Sequence, residues 1–229
     1  MTDQDKTAEE VVKTVGKAID ASRAVGGFIA KYINSPLEQA MGIVEDRLKY
    51  LRWERAIRLG QRADEFLKSQ GLSAPSRPIP MKIAIPIMVE GSLEEDDKLQ
   101  DIWAQLLANA ADKDSGVEIR HMFLSILKDL TSQDVTVLRR IYAIAEDDAK
   151  FGLWTGYLPD RIVIHKDIEQ GDIVQAAPTP EIQLTLSNLF RLGLITLSST
   201  WGGSQTFDFI LRTVLGCEFV KACSTRRNY

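Results

Sequence analysis

The sequence predicts a mainly α-helical protein: an N-terminal helical region, then a helical core, then a C-terminal winged-helix-like unit with a short β-hairpin. Three observations carry this reading. Apolar residues recur at helical spacing through most of the 229 residues. Proline, glycine and capping residues stand where helices start and stop. Only between Leu194 and Leu211 do two short β-rich runs flank a glycine turn. The expected boundaries are 1–80 for the N-terminal amphipathic helices, their basic stripe and a proline-rich connector, 81–130 for the helical core, and 131–229 for the winged-helix-like domain.

From the N-terminus, Thr7 to Ile33 reads as an amphipathic helix on Val11, Val15, Ile19, Ile29 and Ile33. Gly16, Gly26 and Gly27 interrupt it, and glycine costs up to about 1 kcal/mol in a helix interior. Pro36 suits the first turn of a second helix running to about Ser69, with Gly71 at its end and Val44, Leu48, Leu51, Leu59, Ala63, Phe66 and Leu67 inward. Ser73 to Pro80 is a proline-rich connector. Met81 to Val89 is apolar throughout, so periodicity does not separate a buried helix from a strand, although Pro86 argues against a central strand.

Gly91-Ser92 is expected to open the next helix, with Ser92 and Glu95 as a capping box and Leu99, Ile102, Trp103, Leu106, Leu107 and Ala110 inward. Another helix is expected over Val117 to Asp129, and one capped by Ser132 carries Val135, Leu138, Ile141, Tyr142 and Ile144. Asp147 to Pro178 reads as a long loop with one short helix or strand near Arg161 to His165. Thr179-Pro180 starts a helix that Gly193 stops. Leu194 to Leu197 and Thr206 to Leu211 are strands around Trp201-Gly202-Gly203-Ser204, and Thr213 to Ser224 closes as a helix. Helix, helix, hairpin, helix is the winged helix-turn-helix order with one added helix.

Composition sets limits on function. With 45% apolar and 26% charged residues, the chain is of ordinary globular make-up. Cys217 and Cys223, six apart in one expected helix, point to different faces, so no bridge is expected and a reducing cytoplasmic setting is. The acidic opening, Met1-Thr2-Asp3-Gln4-Asp5, lacks signal-peptide order, and no run of about 20 apolar residues is present to span a bilayer. The net charge of −4 argues against general nucleic-acid binding while allowing a local basic patch. No nucleophile elbow, phosphate loop or dinucleotide fingerprint occurs. Neither His121 nor His165 has a cysteine or carboxylate at metal spacing, and Glu94 to Asp97 is explained by a helix start. The expectation is a protein that acts by binding, with no catalytic residue, metal or cofactor.

One binding candidate stands out. Arg52, Arg55, Arg58 and Arg62 make an oblique basic stripe, Arg47 and Lys49 precede it, Tyr50 and Trp53 interleave, and only Glu54 opposes it. Anionic lipid or a nucleic-acid backbone would suit such a stripe, with Arg52, Trp53, Arg55, Arg58 and Arg62 as the membrane- or partner-binding residues. The alternative is a solvated face paired with acids, the Glu94 to Asp97 helix among them. The winged-helix region is a poorer candidate for DNA. Its segment 131–229 holds 10 Lys and Arg against 11 Asp and Glu, and the helix before the wing offers Arg191 against Glu181. Specific duplex binding draws heavily on phosphate contacts, which favours a protein-binding wing.

Three segments together resemble the abortive-infection alpha family of bacterial proteins: Asp46 to Trp53 with the helix after it, Ser92 to Ala110 with its Trp103 and Asn109, and the closing Leu215 to Cys223. The resemblance covers about residues 25 to 224. It implies defence against bacteriophage alongside a protein partner from a neighbouring gene, and it carries no catalytic residues. Lys150 to Pro178 matches nothing in that pattern and is where a partner of its own would be recognised. The expected function is therefore a non-enzymatic antiphage effector or adaptor, cytoplasmic and peripheral at a membrane on activation. A transcriptional regulator using the winged helix is the alternative. Homo-oligomerisation through small-residue faces near Gly16 and Gly26, and contact with an anionic membrane surface, remain open.

Overall fold

A computed structural model describes residues 53–165, 177–197 and 206–225. The protein is mainly helical, with eight helices among the described residues and a small antiparallel sheet. The expected helix over Thr7 to Ile33, the start of the second at Pro36, and the Trp201 to Ser204 turn lie outside the described residues. The described residues fall into two compact units, one of residues 53–124 with 223–225 and one within residues 125–222.

In the first unit, α1 (Trp53–Ser69) packs on α2 (Met81–Leu93) and α3 (Asp97–Ala111). Leu59, Ala63 and Leu67 form the buried stripe of α1, as their spacing predicts. The helix closes in a Schellman motif: Gly71 at φ 85° donates to the Lys68 carbonyl at 2.9 Å, and Leu72 to the Leu67 carbonyl at 2.9 Å. The ambiguous apolar run Met81 to Val89 is helical, with Pro86 inside it.

The helix expected to open at Gly91-Ser92 begins later. Ser92 belongs to α2 and is fully buried, its hydroxyl donating to the Val89 carbonyl at 2.9 Å. Asp96 is the true cap of α3, its Oδ1 accepting from the Lys98 and Leu99 amides at 2.8 and 3.0 Å. The physical reason lies in packing. At Gly91 an added Cβ would stand 2.9 Å from the Trp103 Cβ and 3.1 Å from Leu59 Cδ1, so the missing side chain lets α2 run past α1 and α3 at close range.

The helix α4 (His121–Lys128) starts four residues after the expected Val117. The Val117 carbonyl instead accepts from Arg77 Nη2 at 3.3 Å. In the second unit, α5 (Ser132–Tyr142) is capped by Thr131, one residue before the expected Ser132, in a reciprocal box with Asp134. A short α6 (Glu146–Ala149) follows, then β1 (Leu153–Trp154), β2 (Val163–Ile164), α7 (Pro180–Arg191), β3 (Ile195–Leu197), β4 (Phe209–Arg212) and α8 (Val214–Ala222). Thr179 caps α7 and Pro180 fills its first turn, as expected. Cys217 lies in α8 and Cys223 just beyond it, and the two are not joined in a disulfide.

The sheet order is β2-β1-β4-β3, antiparallel throughout, with Leu153 opposite both Ile164 and Ile210, and Ile195 opposite Arg212. Its β1 and β2 come from the stretch expected to be mostly loop. The order α5, α7, hairpin, α8 is compatible with a winged helix, here widened to four strands. Tyr142 gathers this unit together: its hydroxyl donates to the Leu194 carbonyl at 2.7 Å and accepts from the Thr213 amide at 3.3 Å. Burial pushes its ionisation to higher pH. Arg212 lies over the Tyr142 ring at 5.0 Å and caps the end of α5, donating from Nη2 to the Ile144 carbonyl at 2.6 Å.

Candidate functional site

The basic stripe of α1 faces the start of α3. Because Arg55, Arg58 and Arg62 recur at three- and four-residue spacing they share one side of α1, and Asp97 and Asp101, four apart, share one side of α3. Arg55 Nη1 lies 3.6 Å from Asp97 Oδ1, and Arg58 lies 3.7 Å from Asp97 and 3.2 Å from Asp101. Arg62 makes a forked pair with Asp101, Nε to Oδ1 at 2.9 Å and Nη2 to Oδ2 at 2.7 Å, and its Nη1 donates to Glu65 at 2.6 Å. Hydrogen bonds to Asp101 and Glu65 raise the Arg62 pKa further above its already high value. Arg52 and the side chain of Trp53 lie outside the described residues, although Trp53 is the first residue of α1.

Behind this ladder sits Gln100, fully buried. Its Nε2 donates to the Arg55 carbonyl at 3.2 Å and the Gly91 carbonyl at 3.0 Å, while its Oε1 accepts from Arg58. Both N–H donors and the carbonyl oxygen of the amide are thus engaged, as burial of a glutamine requires. Sequence reasoning named the arginines and Asp97 but missed Asp101 and Gln100. The signal for Asp101 was present, since it follows Asp97 by one helical turn.

The guanidinium groups stay partly open to solvent, with side-chain exposures of 25%, 32% and 36% for Arg55, Arg58 and Arg62. Their partners Asp97, Asp101 and Glu65 leave the described part of the stripe close to charge balance. Such a face presents fixed, oriented donors rather than excess positive charge. Replacing Asp101 by alanine should lower stability by about 1 kcal/mol, since the pair is part-exposed and screened. The loss should shrink between about 0.05 and 1 M salt. Urea unfolding at the two ionic strengths measures it, and the reversed pair Arg62→Asp with Asp101→Arg should recover part of the loss.

A second face lies on α7. Leu184 is 73% exposed there, beside exposed Glu181 and Gln183. Arg191, the one cation of this helix, is turned aside: its Nη2 contacts Asp129 Oδ2 at 3.0 Å and Asn188 Oδ1 at 2.8 Å. Asn188 in turn donates to Asp134 Oδ2 at 3.0 Å. His165 accepts from Trp154 Nε1 at 3.3 Å, within an aromatic group completed by Phe209. Among the described residues no cluster of three or more His, Cys, Asp or Glu could hold a metal, and no helix is long and apolar enough to cross a membrane.

The two most distinctive positions of the Ser92 to Ala110 segment have structural explanations. Trp103 is 1% exposed against Gly91. Asn109 Oδ1 accepts from Gln70 at 3.2 Å and Gln105 at 3.1 Å, and its Nδ2 donates to the Ser224 carbonyl at 3.0 Å. No curated protein and no solved structure matches the chain. The family model described as abortive infection alpha matches residues 54–223, from the first turn of α1 to the residue after α8. The chain therefore belongs to the abortive infection alpha family, a membership that points to a role in antiphage defence.

Proposed function

We propose that this protein takes part in abortive infection without chemistry of its own, as an effector or adaptor that binds a protein partner encoded by a neighbouring gene. The observation that carries the reading is the outer face of α7. An aliphatic side chain, Leu184, stands 73% exposed on it, while its arginine is engaged by Asp129 and Asn188. A helix that reads DNA needs free cations for phosphate, whereas an exposed leucine with polar neighbours suits a protein interface. The winged-helix regulator is accordingly the less supported reading.

Arg55, Arg58 and Arg62 stand in this reading as the rim of a partner-binding surface on α1, with Arg52 and Trp53, which adjoin them in sequence, as further candidates. Guanidinium groups already oriented by Asp97 and Asp101 lose little side-chain freedom on meeting an acidic partner. The near balance of charge favours a protein over an anionic bilayer.

The test is phage plaquing on cells carrying the gene with its neighbours. Leu184→Glu should abolish protection and co-purification with the neighbour-encoded protein. Its thermal unfolding should stay within about 0.5 kcal/mol of the parent, since the site is exposed. Full protection by this variant would remove α7 from the interface. Sequence-specific duplex binding by the parent protein would replace the partner reading with the regulator.

A further inference from the structure

We infer that the first unit carries a binding site for a small organic phosphate, in a cavity between the proline-rich connector and the starts of α2 and α4. The cavity measures about 720 Å³ and is lined by Arg77 to Pro80, Lys82, Ile83, Ala110 and Glu118 to His121. That volume lies within the range of roughly 300–1,000 Å³ common to small-molecule sites.

The lining divides by chemistry. Pro78, Pro80 and Ile119 give it an apolar wall, backed by Ile79, Ile83 and Ala110, which are 2%, 5% and 5% exposed. Around it stand the cations Arg77, Lys82 and Arg120 and the imidazole of His121, against the single acid Glu118. In a chain of net charge −4, so one-sided a cluster is unexpected without an anion to meet it.

Arg77 is the anchor. Its Nε donates to the Ala110 carbonyl at 2.7 Å, and its Nη2 to the Asn109 and Val117 carbonyls at 3.1 and 3.3 Å. Those carbonyls hold the guanidinium still without neutralising it, and no carboxylate among the described residues pairs with it. Lys82, exposed at the start of α2, likewise has no ion-pair partner among the described residues. Among the described residues the ion pair of Arg120 is with Glu118, at 3.4 Å, and exposures of 63% and 81% make it weak. Uncommitted charge around an apolar wall selects a compact dianion carrying an apolar or planar body. A phosphate monoester has that form, and its phosphate suits guanidinium and ammonium donors. No side chain caps α2 and its first turn holds no acid, so nothing there repels the phosphate.

The test is calorimetric titration of the full chain with AMP and phenyl phosphate, using adenosine and inorganic phosphate as the separate halves. Both monoesters should bind more tightly than either half, and binding should weaken in about 0.5 M salt. Lys82→Glu with Arg120→Glu, both at exposed positions, should fold normally and weaken AMP by at least about tenfold. Three results would overturn the assignment. They are no binding of either monoester up to about 10 mM, undiminished binding by the double variant, and inorganic phosphate binding as tightly as AMP, which would leave an inorganic-anion site only.

Discussion

Gly216→Ala should destabilise the second unit by about 3 kcal/mol or more, one of the largest losses any single methyl group could cause in this chain. A Cβ at this position would lie 1.9 Å from the Tyr142 hydroxyl and 2.4 Å from the Leu194 carbonyl oxygen. Those two atoms are themselves hydrogen-bonded at 2.7 Å, so neither can yield without breaking the bond. Displaced, the hydroxyl also abandons the Thr213 amide. Thermal unfolding followed by circular dichroism would read the loss. Removing the hydroxyl as well, in Gly216→Ala with Tyr142→Phe, should recover only part of it, because the Leu194 carbonyl belongs to the backbone and still blocks the methyl. Full recovery would show that Tyr142 alone sets the glycine requirement, and an unchanged unfolding midpoint for the single variant would refute the packing account.

The second large effect is expected at Asn109. Its replacement by leucine, which has the same branched outline with bulkier methyl ends, should cost about 3 kcal/mol. One acceptor oxygen serves both Gln70 and Gln105, and one amide nitrogen serves the Ser224 carbonyl. Leucine would abandon Gln70, Gln105 and the Ser224 carbonyl in a region where Gln105 is 3% exposed and water has little access. Asn109→Asp should be milder, keeping the acceptor side and giving up the donor side with its bond to Ser224, at the added cost of a buried charge. Equilibrium urea unfolding of the two variants separates these contributions. Equal stability of Asn109→Leu and the parent would mean that the amide group is spectator chemistry.

Helices with a clean apolar stripe could be read from residue order alone. Spacing located α1, α3, α5 and α7, and local punctuation located the ends of two of them, at Gly71 and at Thr179-Pro180. Reading failed where tertiary contact outweighed local chemistry. Ser92 and Glu95 have the spacing of a capping box, yet α2 continues through Ser92 because Gly91 admits Trp103 and Leu59 at close range. Strands β1 and β2 hold two residues each, too few for alternation to register, and they form by pairing, β1 on the edge of β4 and β2 on β1.

The candidate surfaces were legible to different degrees. The arginines of α1 announce themselves by spacing, and their partner Asp101 follows Asp97 by one turn, but which acid meets which base is fixed by how α1 crosses α3. The cavity at Arg77 was not legible at all. Its cations come from a connector, a helix start and a loop some forty residues apart, and no local pattern links Arg77 to Arg120.

The buried amide of Gln100 has a consequence for mechanics. Helices packed ridge into groove can slide along one another through a series of similar apolar fits. A shift of α1 by a single residue would carry the Arg55 carbonyl about 1.5 Å along its axis, beyond the reach of an amide that also needs the Gly91 carbonyl of α2. One side chain on α3 thus admits only one setting of two neighbours, and acts as a locating pin where oily contact alone would leave an axial degree of freedom.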